Sequence, residues 1–195
     1  MSKMDNTNAN VSITKKIAVT AILLAVCIAS QFLKNLSVYI TGPIVNLCII
    51  LAVMTAGLSW GVILSVITPV TAFFIAASPV MQAVPWIIPL IMCGNAVLAI
   101  MVAVLFRPAV LKSDRLLNPK SVLMAVISAL AKGVFMGLTI ALWLLPSFIP
   151  AESPLREKMS IFQTTFSITQ FITALIGFVY FFIVWIPIRK TMEKG

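Results

Sequence analysis

The sequence contains no histidine and only five acidic residues, and none of the acids lies in an apolar run: Asp5, Asp114, Glu152, Glu157 and Glu193. Metal-dependent membrane proteases need histidine and carboxylate ligands, and aspartyl proteases of the membrane need two aspartates inside helices. Proton-coupled transporters usually carry a carboxylate or histidine within the membrane. The sequence therefore predicts a chain with no catalytic residues, no metal site and no cofactor.

The chain also lacks a glycine-rich phosphate loop of the form G-x-x-x-x-G-K-[ST], so we do not expect it to hydrolyse ATP by itself. Its three cysteines, Cys27, Cys48 and Cys93, lie in separate apolar runs without paired spacing. We expect them to be small buried hydrophobic residues. The functions left open are ligand binding, passive conduction, scaffolding, and transport powered by another subunit.

The composition is that of an integral membrane protein, because 61% of the residues are hydrophobic and only 10% are charged. A soluble domain of this length needs more polar surface, so the solvent is predicted to be mostly the lipid bilayer. The net charge of +9 comes from basic residues at the ends of apolar runs. That placement argues against a nucleic-acid partner.

The fold class predicted is all-α, with six transmembrane helices. A helix needs roughly 20 apolar residues to cross the hydrocarbon core. The stretch from Ile44 to Ser78 would be about 50 Å long as one helix, and Gly57 to Gly61 supplies a turn within it. The predicted helices are 1 (Lys16–Leu33), 2 (Ile44–Ala56), 3 (Trp60–Ser78), 4 (Trp86–Phe106), 5 (Ser121–Leu145) and 6 (Phe162–Ile188).

These helices form one membrane domain over residues 15–190, between a flexible tail at 1–14 and a short tail at 191–195. With six crossings, the basic residues divide ten against three between the two sides, which predicts cytoplasmic termini. The side with the termini holds Lys3, Lys15, Lys16, Arg107, Lys112, Arg115, Lys120, Arg189, Lys190 and Lys194, and the other side holds Lys34, Arg156 and Lys158.

Three proline-containing connections lie on the predicted outer side, at 35–43, 79–85 and 146–160. Such stiff, partly apolar segments are typical both of lids over a cavity and of plain connectors. Both interpretations stay open at this point.

Lys132 is the residue of the sequence that most strongly indicates a function. It lies near the middle of helix 5, where burying an ammonium costs about 3 kcal/mol on insertion scales. No acidic residue in any predicted helix can pair with it. It must reach a wet cavity, lose its proton, or meet an anion that a ligand brings.

Other polar side chains lie at a matching depth. Asn95 and Gln170 are each about nine residues from the outer end of their helix, and the long Lys132 side chain could reach that level. On helix 6, a polar stripe of Gln163, Ser167 and Gln170 follows helical spacing. The substrate-binding residues predicted from these patterns are Asn46, Gln82, Trp86, Asn95, Lys132, Trp143, Gln163 and Gln170. The two tryptophans are more typical of interfacial anchors, and the alternative is a wall on which a ligand stacks.

Helix 1 carries small residues at Ala21, Ala25 and Ala29, a spacing that lets another helix approach closely. With this A-x-x-x-A-x-x-x-A stripe, six helices, and the run from Gly42-Pro43 through Gly57 and Gly61 to Pro69, the chain resembles the substrate-binding S components of energy-coupling factor (ECF) transporters. The resemblance covers about residues 15 to 190.

The resemblance implies a function and partners. An S component captures a vitamin or related micronutrient near the outer face of the prokaryotic plasma membrane. It then docks through the helix 1 alanines, here Ala21, Ala25 and Ala29, on a membrane coupling (T) subunit that carries two ABC-type ATPases. The unpaired Lys132 adds the expectation of an anionic group on the substrate. Three other interpretations stay open: a structural or assembly subunit without a ligand, a small self-sufficient facilitator, and a membrane-embedded enzyme.

Overall fold

A computed structural model describes residues 12–33, 37–112 and 117–192, with side chains up to Pro187. The predicted tail at 1–14 falls largely outside these residues, as do residues 193–195 of the second tail. Within the described ranges the backbone is helical, without a β-strand. The main helices are α1 (Ile13–Gln31), α2 (Val38–Thr55), α3 (Leu58–Ala76), α4 (Ile87–Leu111), α5 (Pro119–Phe148) and α6 (Arg156–Pro187, continuing to Met192).

All six helices are long and apolar enough to cross a membrane, which supports a multi-pass membrane protein and confirms the predicted number of spans. Six successive crossings bring both ends of the described chain to the same end of the bundle. We call this the proximal end, and the opposite end the distal end. The α1–α2, α3–α4 and α5–α6 connections lie at the distal end.

Local signals in the sequence set several of the helix boundaries. The side chain of Ser12 accepts a hydrogen bond from the Lys15 amide and begins α1. Asn118 and Ser121 cap each other's backbone amides at the start of α5. Gly57 separates α2 from α3 with a φ of 103°, a left-handed conformation that costs glycine little. The predicted division of the long apolar stretch at Gly57 is confirmed.

The prediction for helix 2 is wrong at its start. The structure begins α2 at Val38, six residues before the predicted Ile44, so most of the expected 35–43 connection is helical. Ser37 caps the helix by accepting a hydrogen bond from the Tyr39 amide at 3.1 Å. Pro43, the last residue of the predicted connection, lies inside α2. Membrane helices tolerate proline where neighbouring helices satisfy the freed backbone groups.

Helices α4 and α5 extend beyond the predicted ends at Phe106 and Leu145, and each contains a π-helical segment, Val102–Phe106 and Gly137–Leu144. A proline follows each segment, at 108 and 146. In an α-helix a proline ring clashes with the carbonyl group four residues earlier, whereas a π turn pairs groups five residues apart. The π-helical segments therefore explain why α4 and α5 continue past their prolines.

Helix α6 starts earlier than the predicted Phe162 and is not continuous. A 3₁₀ turn at Arg156–Lys158 leads into a helix over Met159–Thr165, and the long final helix starts at Ile168. Phe166 between them has φ −94° and ψ 5°, outside the helical pattern. The predicted 146–160 connection is therefore shorter, because both flanking helices extend into it.

The larger apolar core extends through the proximal half of the bundle, and a second apolar cluster around Ile87, Met136 and Ile140 packs in the distal half. Helix α2 is the most buried span, and it packs against α1, α3 and α6. Near the proximal end, the Phe106 ring contacts those of Phe178 and Phe181 with centroids 4.8 and 5.2 Å apart. Trp185 stacks on Phe181. These aromatic rings close the proximal side of the bundle.

Candidate ligand-binding cavity

A cavity of about 370 Å³ lies between the helices, and all six helices contribute to its wall. Its volume is at the small end of the range for small-molecule sites. Ser78 and Met81, at the short helix Pro79–Ala83 of the α3–α4 connection, close part of its distal side. The polar side chains in its wall include those of Gln31, Asn46, Asn95, Lys132 and Gln170.

Lys132 lies at the centre of a buried polar cluster. Its Nζ donates hydrogen bonds to Asn46 Oδ1 at 2.6 Å and to Asn95 Oδ1 at 2.7 Å. The lysine is 3% exposed. Asn46 and Asn95 each lie eight residues from the distal end of their helix, a depth of about 12 Å. Three separate helices thus bring one amine and two amide oxygens together.

Close helix packing positions these side chains. An added Cβ at Gly177 would lie 2.8 Å from Asn46 Cβ, and one at Gly133 would lie 2.8 Å from Phe171 Cβ. The two glycines let α6 approach α2 beside Asn46 and approach α5 beside Lys132. The Asn46 Nδ2 also faces Thr173 Oγ1 at 3.5 Å.

The cluster has no balancing negative charge. Amide oxygens are neutral acceptors, and no carboxylate stands among the described residues that line the cavity. An ammonium has three donors, and the two asparagines take two of them. The Asn95 Nδ2 group is a further donor at the cavity wall, because Lys132 occupies the Oδ1 of the same amide. A protonated Lys132 therefore leaves donors and a positive charge available to an anion in the cavity.

Gln31 is a cavity residue that sequence reasoning missed. It is the last residue of α1 and only 1% exposed. Its Nε2 donates to the Thr68 carbonyl at 3.0 Å, while no described residue pairs with its Oε1. A glutamine at a helix end ordinarily reaches the membrane surface, so the sequence alone gave no signal of its burial.

The predicted polar stripe on α6 is divided between two places. Gln170 lines the cavity, and its Nε2 donates to the Thr165 carbonyl at 3.2 Å. Gln163 and Ser167 line a separate apolar groove between α5 and α6. Gln163 Nε2 donates to the Ala141 carbonyl at 3.1 Å. This carbonyl would pair with residue 146 in the π pattern, but Pro146 has no N–H, so Gln163 supplies the missing donor.

Three other predicted binding residues lie on the surface. Trp86 is 64% exposed, Trp143 is 59% exposed, and Gln82 is exposed as well. None of the three lines the cavity. Exposed tryptophans near the distal helix ends are typical of interfacial anchors.

We predict that Gln163→Leu lowers the melting temperature of the detergent-purified protein, because the Ala141 carbonyl loses the hydrogen bond that Gln163 donates. The expected cost is about 1–2 kcal/mol of unfolding free energy. Differential scanning fluorimetry measures it. Gln82→Leu is the matched control, because the hydrogen bond from Gln82 to the Ala77 carbonyl is long, at 3.4 Å, and exposed, so its loss should leave the melting temperature unchanged. A Gln163→Leu protein as stable as the wild type would contradict this structural role.

The three helix 1 alanines occupy the outward face of α1. Ala21, Ala25 and Ala29 are all exposed, together with Ile22 and Val26 between them. The buried residues of α1 are Thr20, Cys27, Ser30 and Gln31, on the other side of the helix. The least buried of the six spans therefore presents a row of small side chains away from the bundle.

Comparison of the chain with models of protein families, with curated proteins and with solved structures gave no match in any of the three.

Proposed function

We propose that this chain is the substrate-binding S component of an ECF-type importer in a prokaryotic plasma membrane. It captures a vitamin or related micronutrient in the cavity around Lys132. A membrane coupling (T) subunit and two ABC-type ATPases then supply the energy for its delivery into the cell. The observation that carries the proposal is the buried Lys132–Asn46–Asn95 cluster in a cavity of ligand size.

The cluster supports a binding function because it holds a lysine inside a membrane span with only neutral partners among the described residues. Buried polar groups in membrane spans are costly, and they mark substrate or ion sites more often than packing. Here an amine and two amides converge in the distal half, while the proximal half is closed by aromatic rings. A polar path through the whole bundle, as a facilitator needs, is therefore not supported.

The charge distribution supports the orientation. Basic residues are concentrated at the proximal end, where the positive-inside rule places the cytoplasm. The distal end, with the cavity, then faces the outside of the cell, where a nutrient has to be captured. An anionic group on the substrate, such as a carboxylate, would balance a charged Lys132.

The row of small residues on the exposed face of α1 supports the proposal that a helix of a partner subunit packs there. In lipid, helices associate through close packing at small residues rather than through the hydrophobic effect. Ala21, Ala25 and Ala29 form such a surface on a peripheral helix. We assign the coupling subunit to it, which agrees with the absence of energy-transducing chemistry in this chain.

Native mass spectrometry of the detergent-purified protein, produced in rich medium, tests the proposal. We expect one retained small molecule in the vitamin mass range, bound one to one. An empty spectrum that stays empty after incubation with a panel of vitamins would contradict the proposal. That result would favour a structural or assembly subunit.

A further inference from the structure

The Gln31 side chain is a second polar feature of the cavity wall, contributed by a different helix from those that hold the Lys132 cluster. Its Oε1 is buried without a hydrogen-bond partner in the described part of the chain. A buried unpaired carbonyl oxygen costs free energy unless another group satisfies it. Gln31 belongs to the lining of the cavity, so a bound molecule can supply that group.

The hydrogen bond to Thr68 fixes which end of the Gln31 amide is free. A backbone carbonyl oxygen only accepts hydrogen bonds, so the amide nitrogen must face it. Turning the amide over would bring two carbonyl oxygens together. Gln170 follows the same pattern, since its nitrogen donates to the Thr165 carbonyl. Both glutamines thus offer oxygen atoms, which accept hydrogen bonds.

The cavity therefore combines donors and acceptors. Lys132 and Asn95 offer N–H groups, and Gln31 offers a buried carbonyl oxygen. Building on the proposed function, we infer that the substrate carries, besides its anionic group, a neutral N–H or O–H donor that binds Gln31 Oε1. A positively charged donor fits less well, because no carboxylate among the described lining residues can neutralise it.

Binding of matched linear acids to the detergent-purified full-length chain tests this inference. The probes are monoamides of linear dicarboxylic acids of increasing length, the corresponding monomethyl esters, and the corresponding ω-amino acids. A primary amide and a methyl ester are similar in size, but only the amide donates hydrogen bonds. Isothermal titration calorimetry gives each Kd for the wild type, for Gln31→Met, and for the control Gln82→Met at an exposed glutamine.

We expect the best monoamide to bind the wild type about tenfold more tightly than its ester, the effect of one buried hydrogen bond. It should also bind more tightly than its ω-amino acid. The preference for amide over ester should vanish in Gln31→Met and persist in Gln82→Met, with melting temperatures showing that both variants fold.

The outcomes separate the two proposals. Equal binding of amide and ester by the wild type would overturn the inference about Gln31 while the bound carboxylates still support the proposed function. A preference that survives in Gln31→Met would also overturn it. Failure of every acid to bind would contradict the anionic-substrate proposal and the inference together.

Discussion

Replacing Lys132 with methionine is expected to weaken capture of the proposed anionic substrate by about 30-fold or more. Methionine has nearly the same length but neither charge nor donors, so the anion loses a charged hydrogen bond inside a buried site. Removing one partner of such a pair typically costs about 2–5 kcal/mol. The Kd of the co-purified molecule, or of the best-binding linear acid, measures the change.

The fold should survive this substitution. Methionine removes a buried amine, whose desolvation is costly, but it leaves Asn46 Oδ1 and Asn95 Oδ1 without their donor. These two effects oppose each other, so we expect only a small shift in melting temperature. Lys158→Met is the matched control, because it removes the same charge from an exposed position. Unchanged affinity in a folded Lys132→Met protein would disprove the role of the lysine in binding the substrate.

The number of spans could be predicted from the sequence because it depends on apolar length and on one turn. Gly57 interrupts a run too long for one crossing, and the structure turns there. The starts of α2 and α6 were predicted less accurately than the number of spans. The predicted connection before α2 ran to Pro43, yet neighbouring helices allow this proline inside α2.

The candidate site could be predicted only in part, because pattern analysis assumes straight, regular helices. The spacing of Gln163 and Gln170 puts them on one face of an ideal helix. The break at Phe166 separates them, so that Gln170 lines the cavity and Gln163 lies in the groove beside Ala141. Gln31 was missed because its partner Thr68 is distant in sequence, and no local pattern signals such a contact.

The contact between Lys132 and Asn95 could be anticipated from the sequence, since both residues lie at comparable depths in long apolar helices. The partnership with Asn46 was harder to foresee, because the predicted helix 2 began at Ile44 and left Asn46 close to the membrane surface. With α2 starting at Val38, Asn46 lies six residues deeper in its helix, at the level of Asn95. The misplaced helix start therefore put Asn46 at the wrong depth, although the residue was among those predicted to bind the substrate.

Substituting Ala25 with phenylalanine is expected to reduce uptake into cells by about 10- to 100-fold without changing substrate affinity. Ala25 is the middle residue of the outward row on α1 and does not line the cavity. An aromatic ring there would hold a partner helix away from the small-residue surface, and overpacking of a close contact costs about 1–3 kcal/mol. Uptake of the identified substrate, in cells that also produce the coupling subunit and ATPases, measures the effect.

Ile183→Phe is the control for this prediction, because Ile183 is a 63% exposed residue on α6, away from α1. It adds an aromatic ring to the apolar surface and should leave uptake unchanged. The Kd of the purified Ala25→Phe protein should stay within about twofold of the wild type, since one face of α1 contacts the bundle and the other does not.

Normal uptake by Ala25→Phe would show that the alanine row faces lipid alone. Loss of uptake together with loss of substrate binding would indicate a damaged fold instead of a blocked partner, because docking and capture use opposite faces of the same helix.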